Sequence, residues 1–232
     1  MTGPTLSIVI PVLNEAGGIV QALERLQDLR TQGAEVIVVD GGSRDGTAQL
    51  AGSLADCVTT SPSGRGRQMN VGAAQATGPI LLFLHADTLL PASALTSVVE
   101  AIAGGACWGR FDVRIAGAID GLGMVAWMMN RRSRLTGIAT GDQAIFVTRE
   151  AFQDRGGFPD IPLMEDIVFS RGMRKVARPA CLTEKVTTSG RRWEQHGLLR
   201  TILKMWWLRL RFYFGASPNQ LAREYGYVSA DH

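Results

Sequence analysis

Apolar positions along this chain fall first into short β-branched runs and then into sets spaced for helices. Ser7 to Val12 is such a run, and Ile19, Ala22, Leu23, Leu26 and Leu29 then recur at helical spacing until Gly33. The order is strand, loop, helix. Glu35 to Val39 predicts a second buried strand, Thr47 to Leu54 a short helix, Ile80 to Leu84 a third strand and Ser93 to Ile102 another helix. Alternating β and α elements imply an α/β fold with a mostly parallel sheet, flanking helices and right-handed crossovers. After Gly105 the pattern changes. Trp108 to Ile115 and Ala144 to Val147 read as strands, whereas Gly121 to Ser133 carries apolar residues without clean periodicity. Glu165 to Val176 predicts a helix, Cys181 to Thr187 an extended segment, and Gly197 to Phe214 a long helix closed by Gly215, with a new helix starting at Ser217-Pro218.

Length and composition narrow this picture. The 232 residues fit one domain, taken as 1–232 with 195–232 a C-terminal helical extension, and the 46% hydrophobic share supports a sizeable core. Net charge is only +3, yet Arg191, Arg192, Arg200, Lys204, Arg209 and Arg211 gather near the C-terminus, which suits phosphate groups or an anionic membrane face. No helix-turn-helix, zinc-finger or aromatic RNA-binding signature supports nucleic acid as a partner. Cys57, Cys107 and Cys181 are odd in number and far apart, so neither a disulfide framework nor a cysteine metal site is expected, and a reducing cytoplasm fits. Neither a leader-like start nor an apolar run of ~18 residues is evident, which disfavours secretion and membrane spanning.

Ligands of open parallel sheets bind at the C-terminal ends of the strands. Three polar clusters fall there: Asn14-Glu15, Asp40-Gly41-Gly42-Ser43-Arg44-Asp45-Gly46-Thr47, and His85-Ala86-Asp87. Turn and helix-cap chemistry explains each one singly; three on one sheet edge point to a site.

These segments carry a resemblance. Ser7-Ile8-Val9-Ile10-Pro11-Val12-Leu13-Asn14-Glu15, Val38 to Thr47, and Leu82-Phe83-Leu84-His85-Ala86-Asp87-Thr88 resemble the successive signatures of family 2 glycosyltransferases, and the likeness continues through Gly156-Gly157-Phe158 and Glu165-Asp166 to Arg191-Arg192-Trp193. Within that family the pattern is similar to a small bacterial subgroup proposed to act in arsenosugar biosynthesis. The resemblance implies a GT-A fold, a nucleotide-diphospho-sugar donor with a UDP-sugar favoured, a divalent cation (Mn²⁺ or Mg²⁺), inversion at the anomeric carbon and a hydroxyl-bearing acceptor that is a small molecule or a lipid.

It also implies roles for residues. Asp40 is expected to accept from the base N–H groups, with the Pro11 to Leu13 backbone against the ring and Glu15, Ala86 and His85 around the donor. Asp87 is the expected metal ligand, because a hard cation held by carboxylate oxygen stabilises the charge that grows on the leaving diphosphate. Asp166 is the implied base toward the acceptor hydroxyl, with Glu165 orienting it; capping of the helix N-terminus is the plainer role for the pair. The family's aspartate-x-aspartate element stands here as His85-Ala86-Asp87, leaving one carboxylate, with His85 either at the donor or simply satisfied at a strand end. Arg191-Arg192-Trp193 resembles a shortened glutamine-x-x-arginine-tryptophan element without its glutamine, which argues against processive synthesis and leaves the arginines as diphosphate clamps or as solvated charges.

Gly64-Arg65-Gly66-Arg67 lacks both the G-x-G-x-x-G spacing and the Walker lysine, so Arg65 and Arg67 are taken as donor contacts at a basic helix start. Asp142 faces donor or acceptor, or serves a turn. Residues 197–214 combine an apolar face with Trp206, Trp207 and flanking cations, which suits core packing, a homodimer interface or peripheral contact with the inner face of a membrane. Two rival functions are a non-catalytic nucleotide-sugar-binding module, suggested by His85, and a sugar-phosphate nucleotidyltransferase, which Pro11 to Glu15 disfavours because that class carries a glycine-rich basic loop there.

Overall fold

A computed structural model describes residues 3–227. Its strands are β1 (Leu6–Val12), β2 (Ala34–Asp40), β3 (Cys57–Thr60), β4 (Ile80–Phe83), β5 (Thr88–Leu89), β6 (Trp108–Ala116), β7 (Ile145–Thr148) and β8 (Ala180–Ser189). The helices are α1 (Ile19–Glu24), α2 (Gln27–Thr31), α3 (Thr47–Ala51), α4 (Arg65–Gln75), α5 (Ala94–Ala103), α6 (Leu122–Thr136), α7 (Arg149–Asp154), α8 (Glu165–Met173), α9 (Arg191–His196), α10 (Leu198–Tyr213) and α11 (Pro218–Tyr225).

One sheet runs β3-β2-β1-β4-β7-β6-β8-β5. From β3 to β4 every pairing is parallel, as a β-α-β alternation requires. Beyond β4 the pairs with β7, β7 with β6, and β8 with β5 are antiparallel, and only β6 with β8 is parallel. The parallel character expected from the alternation therefore belongs to the first half of the chain.

Strand alternation divides the core. Ile8, Ile10, Val36 and Val38 face one side, where Leu23 and Leu29 of α1 and α2, Val98 of α5 and Val125 of α6 close over them. Val9, Ile37 and Val39 face the other, under Met69 and Ala73 of α4 and Phe169 and Met173 of α8. Helix α4 lies so close to the sheet that a Cβ on Gly72 would stand 2.3 Å from Val9 Cγ1. A third, smaller cluster joins Leu208 of α10 and Leu221 and Ala222 of α11 to Leu163, Met164 and Ile167. The C-terminal helices thus pack on the segment that carries Glu165 and Asp166. Of the expected extension, 228–232 lie outside the described residues.

Two local expectations are corrected. The single helix over Ile19 to Leu29 is broken at Arg25-Leu26, where the Gln27 side chain donates to Leu23 O and Leu54 O in place of a continuing backbone bond. The segment without clean periodicity is a 15-residue helix, α6, whose pattern is blurred because it buries Leu122, Val125 and Ala126 while exposing Met124 and Trp127.

Candidate active site

At the ends of β1 and β2 two loops fasten each other. Asn14 N donates to Ser43 Oγ at 2.8 Å, Glu15 N to Thr47 Oγ1 at 2.8 Å, Ala16 N to Asp45 Oδ2 at 3.0 Å, and Arg44 N to Asn14 Oδ1 at 3.0 Å. Asp40 is buried, and its carboxylate accepts from Ser43 N and Ser43 Oγ. Gln68 of α4 reaches beneath, donating to Val12 O and Val39 O. Much of the polar chemistry that the sequence displays here therefore builds the loops, as the turn-and-cap reading has it. Leu13 remains exposed at the lip and Pro11 is buried within β1.

Glu15 follows β1 and Asp87 follows β4, close enough for the charge of Asp87 to act on Glu15. Burial pushes the Glu15 carboxyl up, Arg191 draws it down, and the charges of Asp87 and Asp45 push it up again. Asp87 is exposed; its nearest internal contact is a donation from Thr88 Oγ1 at 3.4 Å. No group of three or more His, Cys, Asp or Glu side chains suited to a metal occurs among the described residues. A cation here would be held by Asp87, with phosphate oxygens and water completing the shell, the usual arrangement for Mg²⁺ on a nucleotide. The donor set fits that sharing and no closed protein cage.

The partner of His85 is Asp142, whose Oδ1 lies 3.5 Å from its Nδ1. The imidazole presses on Gly141, where a Cβ would come within 2.3 Å of Nε2. Although 47% of the Asp142 side chain meets solvent, burial of its surroundings would raise its pKa; His85 first, then Arg65 and Arg192, hold it below the ordinary range instead. Asp142 is thus tied to His85 as well as to the turn Gly141–Gln143.

Asp166 sits at the start of α8 and its two oxygens accept from Gly141 N at 2.9 Å and from Ile167 N at 2.7 Å. Glu165 is buried against Arg65, whose Nε is 3.5 Å away. Burial, reinforced by Asp166, pushes the Glu165 carboxyl up, and Arg65 and His85 offset only part of it. A cavity of about 10 Å³, room for roughly one water, is lined by His85, Gly141, Glu165 and Asp166 over Met69, Phe83, Ile145 and Phe158.

Strain gathers at the same edge. The described non-glycine residues with positive φ are Asn14 (54°), Ala144 (48°) and Met164 (71°), each costing about 1 kcal/mol and each adjoining a segment named above.

The chain matches the model for Glycosyl transferase family 2 over residues 7–147, more than half its length. It belongs to that family. Relatives include Glycosyltransferase AglE of Haloferax volcanii, 36% identical over 95 residues, which are 37% of this chain and 31% of AglE. An uncharacterized glycosyltransferase of Mycobacterium tuberculosis is 34% identical over 109 residues, 44% of this chain and 42% of that protein. The chain thus matches less than half the length of these relatives. Among solved structures, Staphylococcus aureus TarS 1-349 superposes with TM-score 0.65 at 20% identity, covering 80% of this chain and 60% of that one. The mannosyltransferase PcManGT of Pyrobaculum calidifontis, solved with GDP-Man and Mn²⁺, gives 0.61 at 22% identity over 81% and 57%. The fold is the GT-A type that family 2 members adopt.

The structure separates residues that sequence alone grouped. Arg65 lies inside the site, whereas Arg67 Nε donates to Asp160 Oδ1 at 2.6 Å on the exposed side. Arg191 and Arg192 are exposed at the start of α9, while Trp193 packs against the core. Three further residues carried no motif. Tyr227 accepts a hydrogen bond from Arg65 and stacks at 5.4 Å on Tyr225, whose ring lies 4.1 Å beneath the Arg192 guanidinium. Arg132 of α6 is close enough to Asp166 and Asp142 for their charges to act on it; burial, with help from Arg110, holds its pKa below the usual value. Only folding brings α4, α9 and the segment after α11 together, so no spacing in the sequence could announce these contacts.

Proposed function

We propose that the chain is an inverting, metal-dependent glycosyltransferase that moves a sugar from a nucleotide-diphospho-sugar, a UDP-sugar first among them, to a hydroxyl of a small-molecule or lipid acceptor. The observation that carries this reading is an exposed carboxylate, Asp87, two residues beyond His85, and a second carboxylate, Asp166 at the start of α8, held by two amides beside the cavity that His85 also lines. The crystallised neighbours fit it, TarS with UDP-GlcNAc and PcManGT with GDP-Man and Mn²⁺.

Asp87 would hold the cation, which supplies positive charge to the diphosphate when bound. Arg191 and Arg192, at the mouth, add fixed charge for the same leaving group. Asp166 accepts the proton of the acceptor hydroxyl as its oxygen attacks the anomeric carbon; the sugar–phosphate C–O bond breaks and its electron pair stays on the diphosphate. The amides of Gly141 and Ile167 fix the carboxylate for that task. Glu165, kept in place by Arg65, orients the acceptor. Release of UDP or GDP from a panel of nucleotide sugars, with Mn²⁺ and with chelator, tests the reading. A chain that binds nucleotide sugar but releases nothing with any acceptor would be the binding module instead, and pyrophosphate-dependent formation of nucleotide sugar would point to a nucleotidyltransferase.

The extension over 195–232 is read as part of the same unit, since α10 and α11 share a core with Leu163 to Ile167. No helix among the described residues is long and apolar enough to cross a membrane. Helix α10 nonetheless exposes Leu199, Leu203, Trp206, Trp207 and Leu210 and carries Arg200, Lys204, Arg209 and Arg211 without an acidic residue of its own, Arg211 alone of them being ion-paired among the described residues, with Glu224 of α11. Such a helix suits peripheral contact with anionic lipid better than a homodimer, which would set like charges together. Co-sedimentation with anionic liposomes is expected for the parent and lost in Trp206→Ser/Trp207→Ser; a protein that stays in the supernatant assigns the stripe to subunit packing.

A further inference from the structure

Arg132 stands out in the charge inventory of the site. Glu165 pairs with Arg65, Asp142 with His85, and Arg110 with Asp112, while both oxygens of Asp166 are taken by backbone amides. Arg132 lies among these groups, yet its Nε and Nη2 are buried and meet no hydrogen-bond partner. Those two nitrogens form one edge of the guanidinium, with parallel N–H bonds that match two oxygens of a carboxylate or phosphate. Other buried polar atoms of the chain also lack a partner, among them Arg110 Nε and Arg209 Nε, but of these arginines only Arg132 leaves both nitrogens of one edge empty, a costly arrangement that an anion would satisfy.

We propose that the Nε–Nη2 edge of Arg132 receives an anionic group, phosphate or carboxylate, carried by the sugar acceptor. The position rests on the reading of Asp166 as the base, because the acceptor hydroxyl must then lie beside it and the rest of the acceptor within reach of α6. An acceptor with its own negative charge would be repelled by Asp142, Glu165 and Asp166, and Arg132, which is paired to none of them, offsets that repulsion. Acceptor choice would then follow charge: a hydroxyl compound lacking the anionic group leaves the fork empty and is rejected.

The test titrates inorganic phosphate, sn-glycerol 3-phosphate, glycerate and glycerol into the full chain saturated with UDP and Mn²⁺, so that the diphosphate position is already filled. The phosphate probes or glycerate should bind and glycerol should not. Glycerol 3-phosphate against glycerate tells phosphate from carboxylate. Arg132→Met should weaken anion binding at least tenfold and leave UDP affinity unchanged, with a melting temperature equal to the parent's or a few degrees higher, since an unpartnered buried charge has been removed. Arg132→Lys, which keeps the charge but not the fork, should retain part of the binding. Anion binding that is absent in the parent, or equal in Arg132→Met, overturns the proposal. So does a fall in melting temperature of about 5 °C or more in both variants, which would mark Arg132 as structural. A parent that fails to bind UDP would strike the donor reading alone, because the loss of anion binding between nucleotide-free parent and nucleotide-free Arg132→Met still reports on the fork.

Discussion

The edges of this cleft that we propose for donor and acceptor are built by different means. Around Asp40 the loops after β1 and β2 are fastened by bonds among Asn14, Ser43, Asp45 and Thr47, all supplied by two segments some thirty residues apart. Around Asp166 the fastening draws on more of the chain: the adjoining Ile167 amide, the Gly141 amide, Arg65 of α4, and Tyr227 beyond α11. A nucleotide diphosphate is the same feature in every donor and suits a fixed receptor. Acceptors differ, and an edge assembled from separate helices can change one contact without disturbing the other side.

That contrast can be broken at either edge. The largest effect is expected from Asp166→Asn, which keeps the amide bonds but cannot take the proton: turnover should fall ~10²- to 10⁴-fold while the donor dissociation constant stays within a few-fold. Nearly parental transfer would reduce the Glu165-Asp166 pair to a helix cap and make Asp142 the next candidate for the base. Asp87→Ala should act on the opposite edge, abolishing about a tenfold gain in UDP affinity on adding Mn²⁺, read by calorimetry. A metal response that persists in this variant would remove Asp87 from the cation.

Much of the donor edge was legible because β1, β2 and β4 are buried on both faces and read as unbroken apolar runs, with polar clusters set at their ends. On the edge proposed for the acceptor, the sequence singled out Glu165-Asp166 and Asp142. β3 and α7 are short and partly polar, and β3 leaves its residues half-covered, so neither left a period to read. Arg132 sits in a helix whose apolar residues point both inward and outward, and Tyr227 follows a helix with no motif of its own.

A gentler probe sharpens the comparison. Tyr227→Phe removes the hydroxyl that Arg65 donates to and keeps the ring, so kcat/KM should drop roughly three- to tenfold with UDP affinity unmoved. The pH profile should move as well. Glu165, faced by Arg65, Asp166 and His85, already holds its proton to a higher pH than an ordinary carboxyl, and Arg65 is the largest influence opposing this. Loosening Arg65 raises it further, so the acid limb of the pH–rate profile should shift upward; an unchanged profile would confine Tyr227 to packing.

The four residues from Leu84 to Asp87 link strands that are not neighbours. In the sheet order β5 stands four places from β4, about 19 Å away if the sheet were flat at ~4.8 Å per strand, whereas the five steps from Phe83 to Thr88 reach at most ~18 Å. The far half must therefore curl back over the strand ends, and the register shift between Arg110 and Asp112, where β8 advances from Cys181 to Lys185, is where it bends. His85-Ala86-Asp87 closes into a turn, Thr88 N donating to His85 O at 3.0 Å, so the link is shorter still than that limit. One residue more would open the turn, and both the reach of Asp87 and the pitch of the curled flap would change together.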